Sequence, residues 1–182
     1  MRVVSGIYKG FNLKAPKSNT TRPTDNKVKE AIFDMLYPMK TDGIALDLFA
    51  GSGQMGIEFI SRGLNKVYFN EKDRNSYKII EENLNKLKTD KFKLTKYDFK
   101  NALEYYKNKD ISFDYIYLDP PYDTDFLDVA INLIISYELL NEHGIIITES
   151  DKELKLDDKY DINLLKEKKY GRKIVNFYTK WK

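Results

Sequence analysis

Ile44-Ala45-Leu46-Asp47-Leu48-Phe49-Ala50-Gly51-Ser52-Gly53-Gln54-Met55-Gly56 is the stretch that decides the fold. Its first seven residues have the length and apolar character of a buried strand, and the glycines that follow predict a tight turn. A helical pattern then runs to Arg62 and stops at Gly63, a residue that favours a helix end. This order lets backbone approach a nucleotide-like ligand closely. An ordinary strand-to-helix turn is the alternative, because chance matches to G-x-G-x-x-G are common.

Predicted strands and helices alternate on the C-terminal side of this unit. Strands are expected near 44–49, 66–70, 92–97, 113–118 and 144–149, with helices at roughly 52–62, 74–88, 101–108 and 125–140. Such alternation predicts a mostly parallel sheet with helices on both faces. Residues 160–170 and 173–181 are strand-like and meet at Gly171, which predicts an antiparallel hairpin. Seven strands in this arrangement are typical of the α/β, Rossmann-like class I methyltransferase fold.

The N-terminal residues follow a different pattern and carry an excess of positive charge. Two short strands around Gly6 and Gly10 are expected between residues 2 and 15, then a loop at 20–24 and a helix that Pro38 ends. Up to residue 30 there are seven basic and two acidic residues, a balance that fits a phosphate-contacting arm. We therefore predict a basic N-terminal extension over residues 1–40 and a catalytic domain over residues 41–182.

Composition narrows the class of protein. The chain of 182 residues contains no cysteine and a single histidine, His143, which precedes a glycine in a predicted turn. A disulfide framework and a thiolate metal site are excluded, and no metal is expected. No apolar run has the length of a membrane span, and no signal-peptide core is present at the N-terminus. The prediction is a cytoplasmic protein without a membrane partner.

Asp119-Pro120-Pro121-Tyr122 follows an apolar run of strand length, residues 115–118. Ligands bind at the carboxyl edge of strands in open parallel sheets. The prolines lack a backbone N–H and hold their predecessors extended, so this corner presents the Asp119 carboxylate and the Pro120 carbonyl as acceptors. Together with the Tyr122 ring, they suit a nucleobase that carries an exocyclic amino group. Taken alone, a strand-ending turn with Tyr122 in the core is an equal alternative.

Acidic residues end the first three predicted strands. Asp47 lies four residues before Gly51, where a carboxylate attracts the charged amino-acid moiety of S-adenosylmethionine and repels a pyrophosphate. Glu71 follows Gly53 by eighteen residues, a spacing at which an acidic residue takes ribose hydroxyls in nucleotide-binding βαβ units. A solvated surface glutamate is its alternative. Asp98 is expected to flank an adenine, or else simply to order the loop before the next helix.

These motifs together resemble the RsmD-type family of bacterial methyltransferases, which modify the N2 amino group of a guanine in small-subunit (16S) ribosomal RNA. The resemblance extends over essentially the whole chain. The matching stretches are residues 2–13, 21–24 (Thr-Arg-Pro-Thr), 28–33, 46–53, 119–122 and 170–171. Asp-Pro-Pro-Tyr alone also occurs in N6-adenine methyltransferases of DNA or RNA, and its combination with Thr-Arg-Pro-Thr is far more specific. Asn70, Gln54 and Met55 depart from the family pattern without removing a group that the reaction needs.

The resemblance implies an rRNA (guanine-N2)-methyltransferase that uses S-adenosylmethionine. The implied catalytic residues are Asp119, Pro120 and Tyr122. The implied cofactor-binding residues are Asp47, Phe49, Gly51, Gly53, Glu71, Asp98 and Asp119. The candidate RNA contacts are Arg22, Thr24, Tyr8 and Lys9. Arg22 has two alternatives, to organise the active site or to cap structure, and a solvated hairpin tip is the alternative for Tyr8 and Lys9. The expected partner is 16S ribosomal RNA within a small subunit or an assembly intermediate, and the chain is expected to act as a monomer.

Three other functions share part of this evidence. An N6-adenine methyltransferase would keep the chemistry and change the substrate, although the chain lacks a separate DNA-reading domain. A nicotinamide-dependent oxidoreductase would use the glycine turn, but it leaves Asp47 and residues 119–122 without a role. A non-catalytic RNA-binding or assembly factor would retain the fold, and the intact Asp-Pro-Pro-Tyr motif argues against it.

Overall fold

The computed structural model describes residues 1–16 and 26–180. Its strands are β1 (Ile44–Asp47), β2 (Lys66–Asn70), β3 (Phe92–Thr95), β4 (Phe113–Leu118), β5 (Leu140–Ser150), β6 (Asn163–Tyr170) and β7 (Lys173–Thr179). Its helices are α1 (Asn26–Met35), α2 (Gln54–Ser61), α3 (Arg74–Leu87), α4 (Phe99–Asn108) and α5 (Phe126–Ser136). These elements follow the predicted alternation.

One sheet contains all seven of these strands in the order β3-β2-β1-β4-β5-β7-β6. The strands from β3 to β5 are parallel, and β7 is antiparallel to both β5 and β6. Every residue of β4 is buried, as expected for a central strand with helices on both faces. The predicted mostly parallel sheet with an antiparallel C-terminal hairpin is confirmed.

Apolar side chains pack on both faces of this sheet. On one face Ile57 and Ile60 of α2 join Phe33 of α1 in a cluster that also takes in Val3 and Leu13 from the N-terminal residues. The other face is covered by α4 and α5. The N-terminal residues therefore share a core with the sheet.

The predicted N-terminal hairpin forms with less strand structure than expected. A single antiparallel bridge joins Arg2 to Asn12, flanked by a hydrogen bond from the Gly10 N–H to the Val3 carbonyl at 2.8 Å. Gly6 has a φ of 82°, and a Cβ there would lie 1.9 Å from the Ser61 carbonyl oxygen. Close contact with the end of α2 at Gly6 thus bends the N-terminal hairpin, and its two strands pair only through this short bridge.

Several element ends differ from the predicted ones. β1 ends at Asp47, so Phe49 belongs to the turn. α4 begins at Phe99 because the Asp98 side chain caps it. α5 stops at Ser136, and β5 begins at Leu140 with an irregular register against β4. These shifts come from local capping and bulges.

Candidate active site

The carboxyl ends of β1, β2 and β4 open onto a cleft of about 1830 Å³. Gly51 and Ser52 of the glycine turn line one side of it, Gly53 does not line it, and residues 119–122 form another side. Because β1 lies between β2 and β4 in the sheet, the two motifs that the sequence singled out meet at one edge. This is the edge at which open α/β sheets bind ligands.

The glycine turn is shaped by left-handed backbone and by close packing. Gly51 and Gly53 have φ values of 56° and 78°, which residues other than glycine adopt only with strain. A Cβ at Gly51 would meet nothing within 4 Å, whereas a Cβ at Gly56 would lie 2.1 Å from Cε1 of Phe69. Gly51 therefore keeps its backbone open towards the cleft, and Gly56 lets α2 pack against β2.

Asp47 is buried at the floor of the cleft, with 1% of its surface exposed. Its Oδ2 accepts a hydrogen bond from the Gly56 N–H at 3.0 Å, while its Oδ1 is buried without a hydrogen-bond partner. Burial raises the pKa of Asp47 to about 7, and the negative charges of Glu71 and Glu149 add to this effect. An orphaned carboxylate oxygen at this position fits the ammonium group of S-adenosylmethionine.

Glu71 is tied to the glycine turn by its carboxylate. Oε2 accepts from the Gly51 N–H and Oε1 from the Asp73 N–H, each at 2.8 Å. Burial raises the pKa of Glu71 in spite of these two bonds. Each carboxylate oxygen can accept more than one hydrogen bond, so Glu71, which lines the cleft, can still receive a ribose hydroxyl.

Asp98 is held differently from the other predicted ligands. Its Oδ1 accepts from the Lys100 N–H at 3.0 Å and so caps α4. Its neighbours Tyr97 and Phe99 line the cleft, and Asp98 does not. Contact between Asp98 and an adenine stays a prediction, and the geometry favours the alternative of a residue that orders the loop.

Three phenylalanines form an aromatic wall along this side of the cleft. Phe49 lies 5.3 Å from Phe99 and stacks at 6.4 Å on Phe126, measured between ring centroids. Phe99 and Phe126 are 4.9 Å apart. All three line the cleft, and an apolar aromatic wall suits a purine ring. The sequence singled out Phe49 and missed the other two, which belong to no motif.

The Asp-Pro-Pro-Tyr corner faces the same cleft. Pro120 is buried, and Tyr122 keeps 41% of its surface exposed, so the ring is a surface of the cleft and not part of the core. Burial, with the negative charges of Glu149 and Asp47, raises the pKa of Asp119 to about 8, although Lys173 opposes them. The accessible Tyr122 ring excludes the alternative of a core residue, and the role of the corner in binding a base stays a prediction.

Glu149 and Lys173 lie beside Asp119 and were missed by the sequence analysis. Glu149, on β5, forms an ion pair with Lys173 at the start of β7 and accepts a hydrogen bond from the Tyr117 hydroxyl. Neither residue belongs to a recognised motif. The sequence did offer a signal for Glu149, because this acidic residue lies at the end of the fifth predicted strand. Asp47 and Glu71 lie at the ends of the first two predicted strands in the same way.

Two buried asparagines brace the floor and wall of the cleft. Asn70 donates to the Leu48 and Tyr97 carbonyls at 3.3 and 3.1 Å, which ties three strand ends together. Asn83 donates to the Lys14 and Ser52 carbonyls, both at 3.1 Å, and so links the N-terminal residues to the glycine turn. The polar residue that departs from the family pattern at Asn70 therefore has a structural role.

The predicted RNA-contacting residues divide into two groups. Tyr8 lies against the C-terminal end of α2, the end far from the glycine turn. There the Ile7 N–H donates to the Ser61 carbonyl, and the Tyr8 N–H donates to the Ser61 hydroxyl. Neither Tyr8 nor Lys9 lines the cleft. Arg22 and Thr24 lie outside the described residues.

Comparison with known proteins places the chain in a family. The family described as Conserved hypothetical protein 95 matches residues 1–179. The chain belongs to this family. It is similar to YlbH of Bacillus subtilis, 39% identical over 99% of both chains. It is also similar to the ribosomal RNA small subunit methyltransferase D of Haemophilus influenzae, 32% identical over 94% of this chain and 89% of that protein.

Solved structures agree with this family assignment. The structure of yhhF from Escherichia coli matches with a TM-score of 0.85 and 29% identity over 98% of this chain and 96% of that one. SMU.776, solved in complex with SAH, shares the fold with a TM-score of 0.66 at 14% identity, over 82% of this chain and 48% of that one. The chain therefore has the fold of these methyltransferases, as the sequence predicts. Within the described residues, no helix is long and apolar enough to cross a membrane.

Proposed function

We propose that this chain transfers a methyl group from S-adenosylmethionine to the exocyclic N2 of a guanine in small-subunit (16S) ribosomal RNA. The observation that carries the proposal is the meeting of two sites in one cleft. An orphaned carboxylate oxygen of Asp47 lies at its floor, and the accessible Tyr122 ring lies beside the Asp119 carboxylate. Relatives named ribosomal RNA small subunit methyltransferase D support the RNA substrate.

The cleft residues would hold the cofactor by its three parts. Asp47 and the backbone of the glycine turn take the amino-acid moiety, Glu71 takes the ribose, and Phe49 with Phe99 takes the adenine. S-adenosylmethionine supplies an activated methyl group, because its sulfonium is a good leaving group. The protein's own contribution is therefore positioning and charge stabilisation.

The Asp-Pro-Pro-Tyr corner would hold the target base. A guanine that leaves its stack loses a few kcal/mol, and stacking on Tyr122 returns roughly 1–3 kcal/mol of that. Asp119 and the Pro120 carbonyl accept the two amino N–H groups, which favours a pyramidal nitrogen with its lone pair directed at the methyl carbon. The nitrogen carries an extra proton after transfer, and a carboxylate whose pKa burial has raised to about 8 is suited to accept it.

The wider substrate follows from charge and placement. The basic residues of the 1–40 extension, including Lys9 and Arg22, would contact RNA phosphates around the target, with Tyr8 and Thr24 beside them. The hairpin tip lies at the far end of α2 from the glycine turn, so a folded substrate that reaches both regions suits it better than a short single strand. We infer that a monomer acts on a small subunit or an assembly intermediate.

The test is transfer of radiolabelled methyl to small subunits that lack their own guanine-N2 methylation, with free 16S RNA and DNA alongside. We expect label in N2-methylguanosine, and on the order of 10²-fold less with Asp119→Asn. Asp123→Asn is the matched control, because Asp123 is exposed and pairs with Lys152 at 2.6 Å. Label in N6-methyladenine would overturn the guanine assignment. Absence of label in spite of cofactor binding would favour a non-catalytic factor.

A further inference from the structure

Three carboxylates lie close together at the Asp-Pro-Pro-Tyr corner. Asp47 ends β1, Asp119 follows β4 and Glu149 lies on β5, and these three strands are neighbours in the sheet. The parallel register pairs Leu118 with Thr148, so the next residues along, Asp119 and Glu149, are level with each other. Burial and the negative charge of the neighbouring carboxylates both disfavour the charged forms of Asp47 and Asp119.

Lys173 is the cation that acts on this cluster. It opens β7 directly after the turn at Gly171, which has a φ of 59°. Its side chain keeps 16% exposure and forms an ion pair with the fully buried Glu149. Burial lowers the pKa of Lys173, but the negative charges of Glu149 and Asp119 outweigh it and raise the pKa above the usual value. Lys173 therefore stays charged beside the corner.

Glu149 fixes where this ammonium lies. The Tyr117 hydroxyl donates to one oxygen of Glu149, and Lys173 pairs with the other. Tyr117 is the next-to-last residue of β4 and Asp119 directly follows the strand, and both line the cleft. The hydroxyl, the carboxylate and the ammonium thus form a chain of contacts, and the charge of the ammonium acts on Asp119.

We propose that Lys173 is a positioning residue for Asp119: its ammonium, held in place by Glu149, favours the charged form of the Asp119 carboxylate. The inference rests on the proposed function, in which a charged Asp119 accepts from the target amino group. The groups whose charges interact with Asp119 are Asp47, Tyr122, Glu149 and Lys173, and the Tyr117 hydroxyl reaches the cluster through Glu149. Lys173 is the one among them that favours the charged form.

The first test uses the free protein and needs no RNA. Carbon-detected NMR of the aspartate carboxyl groups follows the titration of Asp119, which an Asp119→Asn spectrum assigns. In Lys173→Met the midpoint of Asp119 should rise by about one pH unit or more, and Lys173→Arg should restore it. Glu149→Gln should move it in the opposite direction, because that change removes a repulsive charge. An unchanged midpoint in Lys173→Met overturns the proposal.

Two controls separate charge from folding. Lys152→Met removes an exposed cation that pairs with Asp123 next to the corner, and it should leave the Asp119 midpoint unchanged. The double variant Lys173→Met with Glu149→Gln leaves no unpaired buried charge. It should melt close to the parent protein and titrate at an intermediate midpoint. A double variant that titrates like Lys173→Met alone would contradict the opposing roles of the two residues.

The second test follows methyl transfer against pH. In Lys173→Met the rate at pH 7 should fall by about tenfold and recover towards pH 9, with cofactor affinity unchanged. A purely structural role would lower the rate equally at every pH, which overturns the inference. If the parent protein labels no substrate, the proposed function fails, and the NMR titration still decides whether Lys173 controls Asp119.

Discussion

At the scale of single residues, the proposed role of Asp47 in cofactor binding opposes its effect on the stability of the fold. Burial raises its pKa from 3.8 to about 7, so the folded protein holds a proton there that the unfolded chain has already lost. The free energy of unfolding therefore falls as pH rises from about 4 to 7. A bound ammonium group would restore this lost stability, because it stabilises the charged form of the Asp47 carboxylate.

Asp47→Asn should therefore stabilise the cofactor-free protein at high pH and weaken its binding of S-adenosylmethionine. Relative to the parent, its free energy of unfolding should rise between pH 4 and pH 8 by on the order of 2–4 kcal/mol. Its affinity for S-adenosylmethionine should fall about 10–100-fold, because a charge-assisted hydrogen bond is lost. Urea unfolding at several pH values and calorimetric titration measure the two effects.

Asp114→Asn is the control of opposite sign. Burial raises the pKa of Asp114, but hydrogen bonds from the Ile44 N–H and Lys40 outweigh it and the pKa is lowered. Asp114 is then ionised in both folded and unfolded protein above about pH 5. Its loss should cost about 1–3 kcal/mol equally at pH 5 and pH 8. Parallel pH profiles for the two variants would contradict the assigned pKa of Asp47.

At the scale of elements, the contact between α2 and β2 depends on a glycine. Gly56 lies inside α2, and a Cβ there would approach the Phe69 ring to 2.1 Å. Gly56→Ala should lower the free energy of unfolding by about 1–3 kcal/mol, because the ring must move. Adding Phe69→Leu should make the alanine close to neutral, since alanine favours helix. Equal costs of Gly56→Ala in both backgrounds, measured by urea unfolding, would exclude the steric cause.

The same scale explains which parts of the site the sequence could predict. Asp47, Glu71 and Asp119 each follow a predicted strand, and the carboxyl ends of parallel strands meet at one edge. Their grouping therefore follows from local pattern and topology alone. Phe126 could not be placed, because it reaches the cleft only through the packing of α5 against residues 49 and 99.

The contact between Glu149 and Lys173 could not be predicted from the sequence for a related reason. They are separated by a hairpin, and they meet only once β7 pairs with β5 in a register that sets Glu149 opposite Val175. Strand pattern predicts that such a hairpin exists, but a shift of register would change which side chains meet. Element ends such as Phe99 were likewise set by a capping side chain, Asp98, for which the sequence left two roles open.

At the scale of the whole molecule, the N-terminal extension is fastened to α2 by buried polar contacts. Glu58 Oε1 accepts from the Val4 N–H at 2.6 Å and lies 3.4 Å from the Lys29 ammonium. Lys29 also donates to the Arg2 carbonyl at 2.9 Å. The side chains of Glu58 and Lys29 are fully buried. The extension therefore depends on the same core as the sheet, whatever separate role residues 1–40 have in binding RNA.

Glu58→Gln should accordingly weaken the whole fold and not the extension alone. It leaves the buried Lys29 ammonium without its anionic partner, which costs about 3–5 kcal/mol. Adding Lys29→Met should recover part of that loss. Hydrogen exchange in rising urea should show peptides from residues 1–16 and from β4 losing protection at one shared concentration, lower than in the parent.

Glu82→Gln is the matched surface change, because Glu82 pairs with Lys14 of the same N-terminal residues in an exposed ion pair. Exposed pairs contribute about 0–1 kcal/mol, so this variant should unfold close to the parent. Early loss of protection in residues 1–16, with β4 still protected, would instead mean that the extension folds and detaches by itself. The predicted boundary near residue 40 would then separate two folding units, and the shared core of Val3, Leu13 and α2 would contribute little to cooperativity.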